Sequence, residues 1–498
     1  MSNSKFSNYC MISILMLLLI APIYPKQNHK QIAKQAVEAL VDSPPNSQSR
    51  LLIAIAPAIT EQQDIVGELV RSNMLRRGAP GASVAVVQDG RIVYEAGFGV
   101  QSTHTNDPVT PESLFRLGST TKIVTAATLI RLMTEHKIPL DAPVKNYAPG
   151  LDSGLSDLTA HQILSHTAGI YDDAPMQGPS DPATLRDQIL SWTSEILFIE
   201  PGEIFSYSNP GYWLAGYMAE VLSGSFFNEA VKDQVLLPVG IENATFDPRE
   251  VNLDLLADAH QTGKRGRAEL FEESYNHAGT WPSGSLYISA GGLGRLLAAL
   301  MDDGMLDGIR VLPKEVPDLL LQSHSPIPFP EGVAYGYGVF RELWGGMEVF
   351  THLGTRRGYG SIFIMVPERR FAVVVLCNLD TTVLRAAAEG IVKEYLGLMP
   401  PQVASGPRKM LRESEFEPFL GTYRNGEKIE IELYNSKANP RAREGGQFFF
   451  KMGRMKIPIY QTGQHRFHTN FADFVLIPDE EGEIEFLFGE FHALKKLR

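Results

Sequence analysis

Cysteine is nearly absent: the 498 residues hold two, Cys10 in the apolar N-terminal segment and Cys377 alone behind the run Val373-Val374-Val375-Leu376. Removal of the N-terminus would leave no partner for a disulfide, and no cysteine-based metal site can form. A surplus of positive charge is missing too. The formal net charge is −12, and lysine and arginine are scattered along the chain, which repels a phosphate backbone and argues against nucleic acid as a partner. No apolar run reaches the ~20 residues that span a bilayer. Low-complexity tracts and internal repeats are absent, so fibrous, disordered and solenoid classes fall away. Among catalytic signatures there is no Gly-x-Ser-x-Gly elbow, no His-Glu-x-x-His helix and no His-x-His-x-Asp-His cluster. His161 and His166 share no helix face well and read as structural residues, so neither a metal nor a cofactor is expected.

What is present points to a multi-part globular protein, because the length exceeds what one core holds. Residues 1–25 read as a targeting segment: a polar start with Lys5, an apolar stretch over 11–20, then Ala21-Pro22. Export to the periplasm or outside the cell follows, with the segment cleaved as a signal peptide or retained as an N-terminal anchor. Residues 26–59 form a linker or extension. A helical period over 65–75 then feeds a hairpin, 81–87 with 91–96, joined by Asp89-Gly90. A second hairpin pairs 361–366 with 371–376, and helical patterns at 122–136, 182–192 and 212–222 lie between the two. Strands at both ends with helices between them predict an α+β arrangement. After a helix over 382–396, proline and glycine mark a linker at 399–410. Short alternating runs at 428–434, 447–452, 456–460, 471–477 and 483–488 make 411–498 a small all-β domain, sandwich or barrel.

Three segments carry candidate chemistry. In Gly118-Ser119-Thr120-Thr121-Lys122, a helix starting at Ser119 places the Lys122 ammonium one turn on, beside the hydroxyl, and offers free N–H groups to an oxyanion. Lys122 serves as a base only if desolvation or a neighbouring cation lowers its pKa. In Phe205-Ser206-Tyr207-Ser208-Asn209-Pro210-Gly211, Tyr207 is a proton carrier if cations stabilise its phenolate, and Asn209 orients a lysine or a substrate amide. In His352-Leu353-Gly354-Thr355-Arg356-Arg357, running into a strand, Gly354 would let substrate lie along the strand edge and the Thr355 N–H would be an oxyanion donor. Each motif alone is weak. Ser2-Asn3-Ser4-Lys5, Tyr423-Arg424-Asn425 and His277-Ala278-Gly279 match the same patterns in contexts that suit other roles.

In their order, Ser119-Thr120-Thr121-Lys122, Tyr207-Ser208-Asn209 and His352-Leu353-Gly354 resemble the active-site motifs of the serine β-lactamase and penicillin-binding-protein superfamily. The Tyr-x-Asn form resembles its class C branch with D,D-peptidase and esterase relatives. The stretches 158–170 and 284–289 resemble further family segments, and the likeness spans about 60–398. The resemblance implies an antiparallel sheet flanked by helices plus an all-α subdomain, followed here by the all-β C-terminal domain. It implies an acyl-enzyme mechanism with Ser119, Lys122 and Tyr207 as catalytic residues, and Asn209, His352, Gly354 and Thr355 binding substrate. The expected substrate is a small ester, amide or peptide, including cell-wall peptide, with the membrane touched only through a retained N-terminal segment. His352 departs from the family, which usually carries lysine there. A histidine supplies that charge only in part at neutral pH, shifting the expectation from β-lactams to esters and amides, while Arg356 and Arg357 are candidates to restore it. The competing reading is a non-catalytic peptidoglycan- or peptide-binding protein that keeps the fold.

Overall fold

In the computed structural model, the described residues are 61–172, 178–271, 276–380, 382–401, 408–409, 413–426, 429–436, 447–469 and 472–497. The expected targeting segment, the extension before residue 60 and part of the 399–410 linker lie outside them. Helix α1 (Glu61–Arg77) precedes strands β1 (Gly81–Gln88) and β2 (Arg91–Gly99). Asp89 and Gly90 between these strands take φ of 52° and 78°, the backbone that a two-residue antiparallel turn demands.

Helices α2 (Lys122–Glu135), α3 (Asn209–Ser223) and α4 (Ala290–Leu300) follow. Shorter helices at Ala160–Leu164, Thr184–Leu190, Phe227–Val231 and Glu315–Leu320 are among those that pack with them. Strands β3 (Ser325–Pro326), β4 (Ala334–Tyr335), β5 (Phe340–Trp344), β6 (Met347–Arg356), β7 (Tyr359–Val366) and β8 (Phe371–Cys377) then lead to helix α5 (Arg385–Leu396). With β1 and β2 they form an eight-stranded antiparallel sheet in the order β2-β1-β8-β7-β6-β5-β4-β3.

Both faces of this sheet are covered. Val374 and Leu376 of β8 face Leu293 and Leu296 of α4, while Val373 and Val375 join Val66 and Val70 of α1 and Ile391 of α5. Alternate residues go to opposite layers, so β8 reads as an unbroken apolar run. Each such fully buried side chain contributes about 1.5–3 kcal/mol.

The C-terminal region is all-β, as expected: β9 (Gly421–Asn425), β10 (Ile429–Ser436), β11 (Gln447–Met452), β12 (Met455–Pro458), β13 (Tyr460–Gln461), β14 (Arg466–His468), β15 (Asp473–Pro478), β16 (Ile484–Gly489) and β17 (His492–Lys496). They form one nine-stranded sheet. It has a core of its own around Tyr423, Phe467 and Phe474. A second cluster joins Phe486, Phe488 and Ala493 to Phe205, Tyr335 and Phe340, and residues 62–498 accordingly make one compact unit.

Two expectations need correction. The His352 motif does not precede a strand but lies within β6, because Phe350–Arg356 pair residue by residue with β7. Sequence patterning also passed over β5, β9, β14 and β17, which are short or broken by glycine and charged residues.

Candidate active site

Ser119 is half-buried in the 3-10 turn Gly118–Thr121, which runs straight into α2 at Lys122. Two glycines let β6 lie against this turn. Gly118 has φ +59°, and a β-carbon there would stand 2.7 Å from the backbone N, C and O of Thr355. A β-carbon on Gly354 would stand 2.0 Å from the Leu117 carbonyl oxygen. The bare Cα of Gly354 thus faces the nucleophile's own turn. Thr120 Oγ1 and Ser361 Oγ lie 2.8 Å apart and 3.0 and 2.5 Å from the Leu117 carbonyl oxygen, so their two hydroxyl hydrogens are shared between that oxygen and each other. From the other side, Leu117 N–H donates to the Leu286 carbonyl at 2.9 Å and Leu286 N–H to Thr121 Oγ1 at 3.3 Å, so the 284–289 segment braces the turn.

Lys122 has no exposed surface. Its Nζ donates to Asn209 Oδ1 at 2.6 Å and to the Ser283 carbonyl at 3.1 Å. Burial pulls the ammonium down to about 7; the Asp172 carboxylate opposes that shift and the Arg356 guanidinium adds to it. The condition set by the sequence for a basic lysine is met by the structure.

Asn209 is the first residue of α3, and Tyr207 lies just ahead of the Ser208 cap, whose side chain accepts from Gly211 N–H. The Tyr207 ring lies 4.7 Å from Lys122 Nζ and 4.3 Å from the His166 ring, with His492 at 6.1 Å and His352 at 6.2 Å. Its buried hydroxyl makes no complete hydrogen bond among the described residues; the Ser119 hydroxyl is the group placed to bond with it. Burial pushes the phenol far up, Ser119 opposing and Asp172 reinforcing the shift. Burial thus favours the phenol over the phenolate here. The three imidazoles are all pushed toward the neutral form, first of all by burial.

His352 is 2% exposed and cannot act as a cationic anchor. Its Nδ1 donates to the Leu353 carbonyl at 2.7 Å, leaving Nε2 to accept from Tyr335 Oη at 3.3 Å. Burial and then Lys122 pull the imidazole down to about 3, against the bond to Leu353. Partial charge at neutral pH was expected; the buried ring has none. The neighbouring arginines do not replace it simply. Arg357 pairs with Asp380 at 3.2 Å, and Arg356 is buried, donating to Thr280 Oγ1 at 3.0 Å.

Ser119, Tyr207, His352 and Thr355 line one cavity of ≈ 750 Å³. Phe329, Phe340 and Leu353 make apolar stretches of its wall. The turn between β16 and β17 closes another side with Phe491 and His492. There Tyr207 N–H donates to the Phe491 carbonyl at 2.9 Å, and Ala493 N–H donates to Ser206 Oγ at 3.2 Å.

A serine on a braced turn, a buried lysine one turn on and a Tyr-x-Asn pair across from it now stand together, and the family model described as β-lactamase matches residues 58–396. The chain belongs to the β-lactamase family. Members of that family are serine hydrolases. Penicillin-binding protein 4 of Amycolatopsis lactamdurans is 27% identical over 360 residues, covering 69% of this chain and 93% of that protein. The unguisins hydrolase of Aspergillus campestris is 27% identical over 339 residues, covering 62% of this chain and 60% of that protein. Among solved structures, SurE superposes with a TM-score of 0.73 at 25% identity, covering 88% of this chain and 99% of SurE. SurE has also been solved with D-Leu, where the TM-score is 0.69.

Within this β-lactamase-family site, sequence reading found the residues of the three motifs and took His166 as structural, but missed Asp172, Ser283, Phe491 and His492. His166 takes φ 58° and its Nδ1 accepts from Ser208 N–H at 3.1 Å, so it shapes the Tyr207 segment. For Ser283, whose backbone carbonyl does the work, no side-chain signal exists.

Proposed function

We propose that the protein is an exported serine hydrolase acting through an acyl-enzyme on an ester or amide, of carboxylesterase, D,D-carboxypeptidase or D-amino-acid-peptidase type. The observation that carries this reading is Lys122. As a neutral amine it has two N–H groups, which satisfy Asn209 Oδ1 and the Ser283 carbonyl, and one lone pair left over for a proton. With its pKa at about 7, that lone pair is available near neutrality. Tyr207, held as a phenol, relays a proton and is not the resting base.

Ser119 Oγ attacks the substrate carbonyl carbon while its proton passes, with Tyr207 as relay, to Lys122. The N–H groups of Ser119 and Thr355 receive the oxyanion, since the Gly118–Thr355 contact sets those two backbones side by side. Collapse breaks the carbonyl–leaving-group bond and returns the proton to the departing oxygen or nitrogen. Water then repeats the sequence on the acyl-enzyme and frees Ser119.

Neutral His352 supports substrates with no carboxylate requirement beside the scissile bond, and Phe329, Phe340 and Phe491 support an apolar group on the acyl or leaving side. SurE solved with D-Leu supports D-amino-acid amides as an early choice. The apolar stretch over 11–20 supports export, which a shortened mass of the secreted protein would test.

The primary test is a fluorophosphonate probe read by intact mass on wild type and Ser119→Ala. One adduct on wild type and none on the variant is expected; an adduct that survives the substitution removes Ser119 from the mechanism. A panel of p-nitrophenyl esters, D-amino-acid amides, D-Ala-D-Ala peptides and a chromogenic cephalosporin then ranks substrates. Cephalosporin turnover far faster than ester turnover would contradict the reading of His352.

A further inference from the structure

Asp172 stands outside all three motifs, yet both of its carboxylate oxygens are turned to Asn209. Oδ1 accepts from the Asn209 backbone N–H at 2.9 Å, and Nδ2 donates to Oδ1 at 3.1 Å and to Oδ2 at 3.2 Å. A carboxylate only accepts, so it dictates which end of the Asn209 amide faces it. The amide oxygen is thereby turned toward Lys122, whose Nζ it receives at 2.6 Å. Rotating that amide by half a turn would set NH₂ against the Lys122 donors and an oxygen against the carboxylate, two repulsive contacts at once. The carboxylate also lies at the N-terminus of the 15-residue helix α3, whose free N–H groups favour a negative charge.

We infer that Asp172 is a positioning residue of the reaction: it locks the Asn209 amide so that its oxygen holds Lys122, and it sets a negative charge one amide away from the Lys122 nitrogen. This rests on the reading of Lys122 as the base. The other groups facing Lys122 are Arg356 and His352 from β6, His166 from the segment after Ala160–Leu164, and the Tyr207 and Tyr212 rings. His492 from the C-terminal turn faces Asp172. The imidazoles are held neutral by burial, which leaves Arg356 and Asp172 as opposing fixed charges on the lysine.

Asp172→Asn keeps an acceptor for Asn209 and removes the charge, whereas Asp172→Ala removes both. For Asp172→Asn, the rising limb of the pH profile of fluorophosphonate labelling moves to lower pH, by roughly half to one unit. For Asp172→Ala, ester kcat falls about 10–100-fold, the cost of one hydrogen bond to a charged partner, while KM changes little. A merely structural role would lower the melting temperature of both variants and leave the limb where it is in wild type. An unmoved limb in folded Asp172→Asn, together with wild-type kcat in Asp172→Ala, overturns the assignment. If wild type takes no adduct at all, the Ser119 reading fails on its own. NMR titration of ¹³C-labelled lysine then decides the Asp172 assignment separately: equal Lys122 titration in wild type and Asp172→Asn overturns it, and a lower midpoint in the variant supports it.

Discussion

The Leu117 carbonyl oxygen occupies the space 2.0 Å from where a β-carbon on Gly354 would stand, with Thr120 N a further obstacle at 3.0 Å. Ser361 Oγ would stand at 2.3 Å as well; that side chain can turn away, but the Leu117 oxygen and Thr120 N are backbone atoms that no change of rotamer moves. The bare Cα of Gly354 is what lets β6 press the Thr355 main chain against the turn that carries Ser119. Gly354→Ala is expected to displace that turn relative to Lys122 and to slow labelling of Ser119 by about 100-fold, the usual cost of a misplacement near 1 Å. Circular dichroism should show the sheet intact, because Gly354 sits at one point of a strand paired along Phe350–Arg356. Wild-type labelling by Gly354→Ala would show that the turn yields freely and that the close approach does not position the nucleophile.

Lys122 makes the pH dependence specific. Burial lowers its pKa to about 7, so protonated, inactive lysine predominates below that value and free amine above it. Ester kcat/KM should rise with pH through an apparent pKa near 7. His352, at about 3, contributes no step between pH 5 and 9, and the Tyr207 phenol, pushed far up, gives no falling limb in that window. Lys122→Arg, which stays charged at every working pH, should lose roughly two to four orders of magnitude in kcat, the span attributed to general acid–base catalysis. A flat profile from pH 5 to 9, or an active Lys122→Arg, would exclude lysine as the base.

How far the sequence revealed this site follows from the range of each interaction. The first hairpin was legible because Asp89-Gly90 codes for its own turn, and α2 and α3 because their apolar positions repeat at helical spacing. Strand β6 hid itself, since a stretch containing His352, Gly354, Thr355 and Arg356 has no strand composition; its form is imposed by β7 and by the turn below it. Asp172 meets Asn209 across 37 positions, and the C-terminal turn meets Ser206 across 287, distances over which a single sequence carries no pairing signal. The turn is further disguised because Glu490 and Phe491 take φ of 50° and 66° without glycine. The charge state of His352 was misjudged for a related reason: composition names the imidazole, and only packing shows that it is 2% exposed.

Away from the cavity, Glu220 on α3 is a buried carboxyl at 3% exposure. Its Oε1 accepts from Phe227 N–H at 3.0 Å, and its Oε2 is buried with no hydrogen-bond partner among the described residues. Burial raises its pKa from 4.5 to about 7, partly offset by that bond and by Arg186. Because the folded-state value lies above the unfolded one, the folded protein holds a proton that the unfolded chain has already released between these pH values. Stability from this group is therefore greatest below pH 4.5 and is lost as pH rises through about 7. Glu220→Gln keeps an acceptor for Phe227 and removes the dependence, so it should raise the melting temperature by a few degrees at pH 8 and much less at pH 5. Equal shifts at both pH values would mean that the carboxyl is not titrating in the folded protein.

The C-terminal sheet offers the broadest test, because its last hairpin is bonded to the site. Phe491 supplies the carbonyl for Tyr207 N–H, Ser206 Oγ receives Ala493 N–H, and Phe486 and Phe488 cover Phe205 and Tyr335. Deletion after residue 405 would strip those partners from the segment that presents Tyr207 and expose the aromatic cluster beneath. The truncated protein should be prone to association and should label at Ser119 at least about tenfold more slowly than wild type, in line with two lost hydrogen bonds. A milder variant separates fold from function: Phe491→Ala leaves both backbone bonds in place but removes a ring 4.8 Å from Phe340 on the cavity wall. It should weaken KM for esters with apolar acyl or leaving groups more than for acetyl esters, with little change in kcat. Truncated protein with wild-type labelling and substrate order would show that the sheet does not take part in the site.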